Sequence, residues 1–440
     1  MNVYFHIDEL ARDAVVASAL KKELRKIGGK LTYGTRITTD RYLAKYNHFD
    51  VVILPSLRHF EVACQDPEVL PENVFILQTE AIGQATGTLR RLNGKYFGDD
   101  LEESRPWHSA VARYLLWGYS HLNPFKEFIP EYLEKCTVVG HPRLADACLK
   151  PPNKVHKPVS RKVLGLVSRF TFLSPMDNRI PFESVISSMR FGKRVFPLFE
   201  NSPDRDVEDL AYTEIIDFRI MLQIIMTLEK ENYDLRVRPH PRENREGWET
   251  IARKLNLKIT LSPWDEPFGH WLQELDYIVT PPSTSLYDVF FQKKKPIVID
   301  HIVSSRAEHT LTESDDRNQI LEAVCRPKSV EEVVDRLEKD DIPVKEDIAI
   351  KNLQEQVGFD IAHQSIGNIV EAMQEFVKNR PGAKTSNVDF WKLLNYRFRA
   401  SAFLHLRWIK NRILRRTEQG SGFHLSFLRK RWIDRLTRED

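Results

Sequence analysis

The stretch VRPHPRENREGW (237–248) places three arginines, one histidine and two prolines after the strand-like run YDLRV. Arg238 and His240 follow the apolar run at once, and the prolines restrict the backbone on both sides of the histidine. A guanidinium offers forked donors that suit phosphate oxygens, and a histidine can add one further hydrogen bond. These residue types predict an anion site at the end of a strand.

A second stretch, TPPSTSLYD (280–288), places hydroxyl groups after another apolar run, DYIV. Ser283, Thr284 and Ser285 come immediately before the helical pattern LYDVFFQKK. The first turn of a helix carries unpaired backbone N–H groups and a partial positive charge, so it binds phosphate readily. We predict that this turn and the Arg238–His240 loop bind one phosphate group together.

Each loop also has a purely structural interpretation. Serines before a helix are often caps, and a single loop histidine is often structural. Arg242 and Glu243 can be read as a solvated surface pair. The shared anion site is favoured because both loops follow strands of one domain, and ligands of open α/β sheets bind beyond the carboxyl ends of the strands.

The elements that must position these loops are short apolar runs that alternate with helical patterns. The runs of the first half are VYFHI, KLTYG, FDVVILP, NVFILQT, ARYLLWG and CTVVG. A Pro- and Lys-rich linker at 149–162 precedes a second series, KVLGLVSRF, YDLRV, LKITL, DYIVT and KPIVID. Continuous apolar runs are typical of parallel strands buried on both faces, and the alternation predicts βαβ units.

The fold class that follows is α/β, with two doubly wound, Rossmann-like domains facing a cleft. A chain of 440 residues is too long for one ordinary core, which also favours two domains. The predicted segments are an N-terminal domain at 1–150, a C-terminal domain at 161–345, closing helices at 346–384 and a basic helical tail at 385–440.

Composition narrows the class of protein further. Hydrophobic content of 42% and charged content of 29% indicate a globular chain. No run approaches the roughly 18 apolar residues of a membrane span, and the N-terminus lacks the pattern of a secretory signal. The four cysteines are scattered, without zinc or redox spacing, which is consistent with a reducing cytoplasm.

The net charge of +3 conceals a strongly basic tail, in which residues 385–440 hold 13 lysines and arginines against five acids. Apolar residues recur every three or four positions from Trp391 to Ile413, and the stretch 423–436 repeats the scheme. Such helices with aromatic and basic residues suit an anionic membrane surface, here through residues 388–436. Packing against the protein body or a partner subunit is the alternative, and nucleic acid is not expected.

Together the motifs resemble GT-B glycosyltransferases. RPHPRENREGW, TPPSTSLYDVFFQKKKPIVID and VVGHPRLADACL are similar to motifs of bacterial surface carbohydrate biosynthesis proteins, which are related to CMP-sugar-dependent and CDP-glycerol transferases. LLWGYSHLNPF and HIDELARDA resemble the N-terminal half of that group, so the resemblance covers roughly residues 3–375. The sequence departs from the pattern at SRFTFLSP (168–175), where GT-B donor domains often have a glycine-rich loop. Phosphate contact there has to come from Ser168 or Arg169.

The resemblance implies a role for each matching residue. Arg238 and His240 would contact the donor phosphate, and the serine–threonine turn would surround it. Asp288 stands where many relatives place a glutamate for the ribose, and His141 and Arg143 would lie on the acceptor side or form a hinge. The implied nucleotide-sugar site therefore consists of Arg238, His240, Ser283, Thr284, Ser285, Asp288 and Arg169.

An inverting transfer also requires a base that takes the proton of the acceptor hydroxyl. Such a base should lie at a strand end of the N-terminal domain. Glu80, after NVFILQT, is favoured, followed by Glu9 and Asp8 after the first strand. An exposed acid or a helix cap is the structural alternative, and a retaining transfer needs no such base.

The sequence thus predicts a cytoplasmic enzyme, peripheral on the inner face of the plasma membrane. It would transfer a sugar from a nucleotide-activated donor, a CMP-sugar being favoured, to a glycan or lipid-linked acceptor of surface polysaccharide. Asp204-Arg205-Asp206 is more typical of a solvated loop or a helix start than of a metal site. The resemblance implies that helix dipoles and cations stabilise the leaving phosphate, so neither an essential metal nor a cofactor is expected. The alternatives are a sugar-nucleotide epimerase or hydrolase, and a non-catalytic subunit of a polysaccharide assembly complex.

Overall fold

Two parallel β-sheets organise the part of the chain that the structure, a computed structural model, describes. Every strand pair within either sheet is parallel, as the continuous apolar runs predict. The described residues are 1–7, 10–34, 39, 49–64, 71–77, 101–149, 161–171, 173–174, 207–231, 233–240, 243–263, 266–283, 285–302 and 320–379.

The first sheet has the strand order β2-β1-β3-β4-β5-β6. Its strands are β1 (Asn2–His6), β2 (Lys30–Gly34), β3 (Val51–Leu54), β4 (Val74–Leu77), β5 (Val111–Leu116) and β6 (Cys136–Val138). Its helices are α1 (Leu10–Lys26), α2 (Leu57–Cys64), α3 (Leu101–Ala110) and α4 (Asn123–Phe128), with 3-10 turns at Tyr119–Leu122, Pro130–Lys135 and Pro142–Leu144.

Both faces of this sheet are buried. Alternate side chains of each strand point to opposite sides, and each side has a hydrophobic core of its own. Phe5 and Ile53 belong to the core beneath α1, whereas Tyr4 and Val52 belong to the core on the other face. The burial on both sides explains why the strands read as unbroken apolar runs rather than as alternating ones.

The second sheet has the order β11-β10-β7-β8-β9. Its strands are β7 (Lys162–Val167), β8 (Tyr233–Arg238), β9 (Ile259–Leu261), β10 (Tyr277–Thr280) and β11 (Pro296–Val298). Its helices are α5 (Val207–Leu228), α6 (Arg245–Leu255), α7 (Phe268–Gln273) and α8 (Ser285–Phe291). Helices α5 and α6 cover one face of the sheet, and α7 and α8 cover the other.

After the second sheet the chain returns to the first. Helix α9 (Val330–Glu338) still packs in the core of the second sheet, and the returning helices are α10 (Glu346–Val357) and α11 (Ser365–Asn379). Residues of α10 and α11 share a core with β1 and α1, and Gly118 lies so close to α10 that a Cβ there would stand 2.2 Å from the carbonyl oxygen of Glu355. The Ser365 hydroxyl donates to the carbonyl of Gly140 at 2.7 Å. The first lobe is therefore built from both the early and the late parts of the described chain.

The prediction of two doubly wound α/β lobes is confirmed. The basic tail, including residues 388–436, lies outside the described residues and stays a prediction. Among the described helices, none is both long enough and apolar enough to cross a bilayer.

Candidate functional site

The second sheet changes winding direction between β7 and β10. From β7 the chain adds β8 and β9 on one side, and then β10 and β11 on the other. Ligands of doubly wound sheets bind beyond the carboxyl ends of the strands at such a reversal. The loops that follow β7, β8 and β10 are those that the sequence selects, with Ser168, His240 and Ser283 in them.

Strand register sets the separation of the two predicted anion-binding loops. Val167 of β7 is in register with Arg238 of β8, and Leu166 of β7 with Val279 of β10. The ends of β8 and β10 therefore lie two strand spacings apart, or about 10 Å. A ligand above the end of β7 can reach side chains from both loops.

The hydroxyl turn after β10 is closed by its own hydrogen bonds. The Ser283 and Ser285 hydroxyls lie 2.8 Å apart, and the Ser285 backbone N–H donates to the Ser283 hydroxyl at 3.1 Å. Thr284 lies outside the described residues. Helix α8 has only seven residues. We therefore assign the expected phosphate contacts to the hydroxyl groups of this turn rather than to the helix dipole.

Glu243 connects three elements of the second lobe, and its interpretation as a solvated partner of Arg242 is wrong. Its side chain is buried, at 5% exposure. The carboxylate accepts hydrogen bonds from the Ser168 hydroxyl at 2.8 Å, the His240 backbone N–H at 3.1 Å and the Trp248 indole N–H at 2.6 Å. The Phe170 backbone N–H is a fourth donor, at 3.2 Å. Glu243 thereby joins the loops after β7 and β8 to α6.

Burial raises the pKa of Glu243, although its hydrogen bonds act in the opposite direction. A carboxylate with this many donors is positioned tightly, because each oxygen has more than one partner. The hydrogen bond from its backbone N–H to Glu243 therefore helps to fix the position of His240. The sequence predicts a stiff loop here, but it assigns this role to the prolines and not to Glu243.

Arg238 is also buried, at 9% exposure, and lies on aromatic rings. Its guanidinium carbon is 5.8 Å from the ring centroids of both Phe268 and Trp271. The guanidinium donates to the backbone carbonyl of Glu266 and lies 3.8 Å from the carboxylate of Glu266. Arg238 also lines the cavity that residues of both lobes surround.

A cavity of about 80 Å³ lies between the two lobes, lined by Arg143 and Val15 from the first and by Arg238, His270 and Asp288 from the second. Arg143 and Asp288 form an ion pair across it, with N and O atoms 3.7 Å apart. Burial raises the pKa of Asp288, and the Arg143 charge acts against that rise. The structure thus brings a predicted acceptor-side residue against the predicted ribose residue.

His141 shapes the turn that carries Arg143. Its side chain is 1% exposed, and its Nδ1 accepts from the backbone N–H of Arg143 at 3.1 Å. The imidazole packs against Trp117, with ring centroids 4.0 Å apart. The imidazole therefore contacts its own turn and the tryptophan that directly follows β5.

Arg169, after β7, has an exposed side chain and acts on a buried acid of α5. Burial raises the pKa of Asp217 to about 7, and the Arg169 charge partly opposes that rise. The carboxylates of Glu214 and Asp300 raise this pKa further. Asp217 is thus a buried acid that titrates near neutrality beside the loop after β7.

The raised pKa of Asp217 predicts a pH-dependent stability. The folded protein keeps this proton up to about pH 7, whereas the unfolded chain releases it near the ordinary value of 3.8. The stabilisation that the protonated Asp217 side chain provides is therefore complete below its ordinary pKa of 3.8, and it is lost as the pH rises toward 7. Asp217→Asn should raise the free energy of unfolding at alkaline pH by about 2 kcal/mol and leave it nearly unchanged at acidic pH. Urea unfolding of both proteins across this pH range measures the difference. The same pH dependence of stability in Asp217→Asn as in the wild-type protein would contradict the prediction.

Several predicted residues fall outside the described part of the chain. The candidate bases Glu80, Glu9 and Asp8 are among them, as is the Asp204-Arg205-Asp206 stretch, so their roles stay predictions. Within the described residues, no group of three or more histidine, cysteine or acidic side chains is placed to hold a metal ion.

Sequence reasoning missed the segment EPFGH (266–270), which supplies Glu266, Phe268 and His270 to the site. The available signal was its place after β9, since every loop at the carboxyl edge of a doubly wound sheet can face a ligand. Glu243 left a weaker signal. An acid between a histidine loop and a helix start looks like a surface residue until its partners are known.

Comparisons with known proteins support the fold. No protein-family model matches the chain, and no curated protein sequence matches it at a significant level. A variant of the wall teichoic acid polymerase TagF superposes with a TM-score of 0.54 at 10% identity, over 86% of this chain and 89% of that chain. A TagF variant soaked with CDPG gives 0.50 at 9% identity, over 86% and 88%. A co-structure of S. aureus MnaA with UDP gives 0.47 at 12% identity, over 86% and 97%. The predicted GT-B arrangement of two parallel-sheet lobes is confirmed, and identities this low concern the fold alone.

Proposed function

We propose that this protein is a glycosyltransferase of surface polysaccharide biosynthesis. It takes a sugar from a nucleotide-activated donor, with a CMP-sugar as the favoured donor, and transfers it to a glycan or lipid-linked acceptor. The donor binds at the reversal point of the second sheet, and the acceptor approaches from the first lobe.

The proposal is supported by the cationic, hydroxyl and acidic groups that follow neighbouring strands at that reversal point. Arg238 and the His240 loop flank the end of β7 on one side, and Ser283 and Ser285 flank it on the other. Phosphate oxygens are the ligands that such donors match. The carboxylate of Asp288 suits a ribose hydroxyl, which donates hydrogen bonds.

The interdomain cavity supports a donor site that opens and closes. A volume of about 80 Å³ suits a few water molecules or one small group. A nucleotide sugar needs a pocket of roughly 300 Å³ or more. On this proposal the two lobes separate for the donor to enter, and the separation breaks the Arg143–Asp288 ion pair. A ribose hydroxyl that then binds Asp288 replaces the partner that the carboxylate has lost.

The likeness to TagF agrees with a cytidine nucleotide as the first ligand to test, since the TagF structure was soaked with CDPG. The sequence resemblance to CMP-sugar-dependent and CDP-glycerol transferases favours the same base. Membrane attachment through the basic tail and a cytoplasmic location stay predictions from the sequence.

Calorimetry with CMP, CDP and UDP tests the donor site. His240→Ala should weaken binding of the preferred nucleotide by about 2 kcal/mol, since a hydrogen bond to a charged group contributes this much. His363→Ala is the matched control, because that histidine is exposed on a 3-10 turn and should leave the affinity unchanged. An unchanged affinity in His240→Ala would remove the histidine from the site.

The alternatives are separated by the same preparation. Conversion of a nucleotide sugar incubated alone would indicate an epimerase or hydrolase, whereas consumption that requires an added acceptor would indicate a transferase. Absence of binding by all three nucleotides would indicate a non-catalytic subunit and would overturn the proposal.

A further inference from the structure

The last turn of α10 lies against the turn that follows β5 in the first lobe. The Ser120 hydroxyl donates to the backbone carbonyl of Glu355 at 2.8 Å. A Cβ at Gly118 would stand 2.4 Å from the carbonyl carbon of Gln356, so the two backbones are in direct contact. The returning helix is therefore joined at this place to the carboxyl edge of the first sheet.

Three fully buried polar side chains lie at this contact. Trp117 directly follows β5, His121 belongs to the 3-10 turn after it, and Gln356 is the α10 residue that Gly118 meets. Each of the three side chains is 0% exposed. The ring centroids of Trp117 and His121 are 5.9 Å apart. We call Trp117, His121 and Gln356 the polar joint.

The polar joint contains hydrogen-bonding atoms that no described residue satisfies. They are Trp117 Nε1, both ring nitrogens of His121, and both Nε2 and Oε1 of Gln356. Buried polar atoms of folded proteins nearly always have a partner, which is either protein or ordered water. Five unpaired atoms at one contact would together cost about as much free energy as the whole stability of an ordinary domain. The polar joint therefore requires partners from outside the chain.

The chemistry of these atoms favours a neutral partner. The indole and the amide carry no charge, and burial lowers the pKa of His121 to about 4, so the imidazole is neutral at physiological pH. Among the described residues, no neighbouring charge contributes to that shift. A neutral imidazole offers one donor and one acceptor whichever nitrogen carries the proton. Water both donates and accepts, and a buried water molecule takes roughly two to four polar partners.

We propose that the polar joint binds ordered water, which bridges the turn after β5 to α10. The water accepts a hydrogen bond from the Trp117 indole N–H and completes the hydrogen bonds of the Gln356 amide and the His121 imidazole. The bridge is part of the first lobe and does not depend on the function proposed above.

The polar joint is connected to the turn that reaches the second lobe. Trp117 packs against His141 with ring centroids 4.0 Å apart, and the His141 backbone N–H donates to the carbonyl of Val357 at 3.0 Å. Nδ1 of His141 accepts from the backbone N–H of Arg143, whose guanidinium forms the ion pair with Asp288. Water in the polar joint therefore supports, through Trp117 and the end of α10, the turn that carries the interdomain ion pair.

Water–protein NMR of the wild-type full chain tests the proposal directly. The chain is labelled with ¹⁵N-tryptophan, and the Trp117 indole resonance is assigned by its loss in Trp117→Phe. The indole N–H should show cross-peaks to water that have opposite signs in NOE and ROE spectra, which is the signature of a bound water molecule. A Trp117 indole without these cross-peaks would overturn the proposal.

Ser120→Ala is the control for this measurement, because a hydroxyl proton that exchanges with solvent can relay a similar signal. The cross-peaks of the Trp117 indole should remain in this variant. Their loss would assign the signal to the Ser120 hydroxyl and would count against bound water.

The sign of a stability change gives the second test. Gln356→Leu removes one partner of the water and leaves the other polar atoms unpaired, so the midpoint of thermal unfolding should fall by about 3 °C. Gln374→Leu is the matched control, since Gln374 is an exposed glutamine of α11 and its replacement should move the midpoint by less than about 1 °C. In a joint without water, leucine would only remove an unpaired amide, so an unchanged or raised midpoint in Gln356→Leu would refute the proposal.

Neither test uses a nucleotide or an acceptor. Absence of nucleotide binding would count against the donor site and would leave the water site standing. Absence of the water cross-peaks in a protein that binds nucleotide would count against the water site alone.

Discussion

Replacing Glu243 by alanine is expected to lower the free energy of unfolding by about 4 kcal/mol, because it leaves several buried donors without an acceptor. The carboxylate accepts from the Ser168 hydroxyl, the Trp248 indole and two backbone N–H groups, those of Phe170 and His240. Each buried donor without a partner costs about 1–3 kcal/mol, and relaxation of the loops recovers part of the sum.

Urea unfolding monitored by tryptophan fluorescence and circular dichroism measures this loss. Glu246→Ala is the matched control, since Glu246 is an exposed acid in the first turn of α6, close to Glu243 in sequence, and should cost only about 0.5 kcal/mol. Glu243→Gln should fall between the two, because the amide keeps one acceptor oxygen but turns N–H groups toward the remaining donors. Equal midpoints for Glu243→Ala and Glu246→Ala would show that the network contributes little.

Replacing Gly118 by alanine is expected to destabilise the protein by about 3 kcal/mol through a collision with backbone atoms. A Cβ at this position would stand 2.2 Å from the Glu355 carbonyl oxygen and 2.4 Å from the Gln356 carbonyl carbon. The backbone of Gly118 is extended, with φ −138° and ψ 170°, so conformational strain is not the reason. The added methyl group has to move α10 away from the turn at Tyr119–Leu122.

Gly367→Ala is the control for this substitution. Gly367 lies in α11, and a Cβ there would meet no atom within 4 Å. Alanine should stabilise that helix by up to about 1 kcal/mol, since glycine is a poor helix former. Opposite signs for the two glycine variants in thermal unfolding are the expected result, and a stabilised Gly118→Ala protein would refute the close approach of α10.

The sheets could be predicted from the sequence because their signal is local. Each apolar run had the length and composition of a buried strand, and each observed strand of the described residues lies within one of these runs or one residue from it. The positions of the two loops that we expect to bind an anion could be predicted for the same reason, since a loop at the carboxyl end of a strand is identified once the strand is. Both inferences need only neighbouring residues and the general behaviour of parallel sheets.

The contacts within the site could not be predicted, because they join residues that are far apart in sequence. The Arg143–Asp288 ion pair depends on how the lobes meet, and no local pattern encodes that. Glu243 looked solvated because the sequence around it is polar, yet its partners Ser168 and Trp248 bury it. The ring of His6, at the end of β1, meets the ring of His59, in α2, edge to face at 5.0 Å. This contact likewise requires β1 and β3 to be neighbours, which depends on topology rather than on sequence spacing.

The return of the chain to the first lobe has a consequence for its synthesis. Val3 and Phe5 of β1 share their core with Ile369 and Met373 of α11, which leave the ribosome after the whole second lobe. During that interval the first sheet lacks one of its covering helices and exposes apolar side chains, a condition that favours aggregation of nascent chains. Helix α11 must therefore leave the ribosome before the core of the first lobe is complete. The second lobe lies later in the sequence, yet it can complete its own sheet earlier.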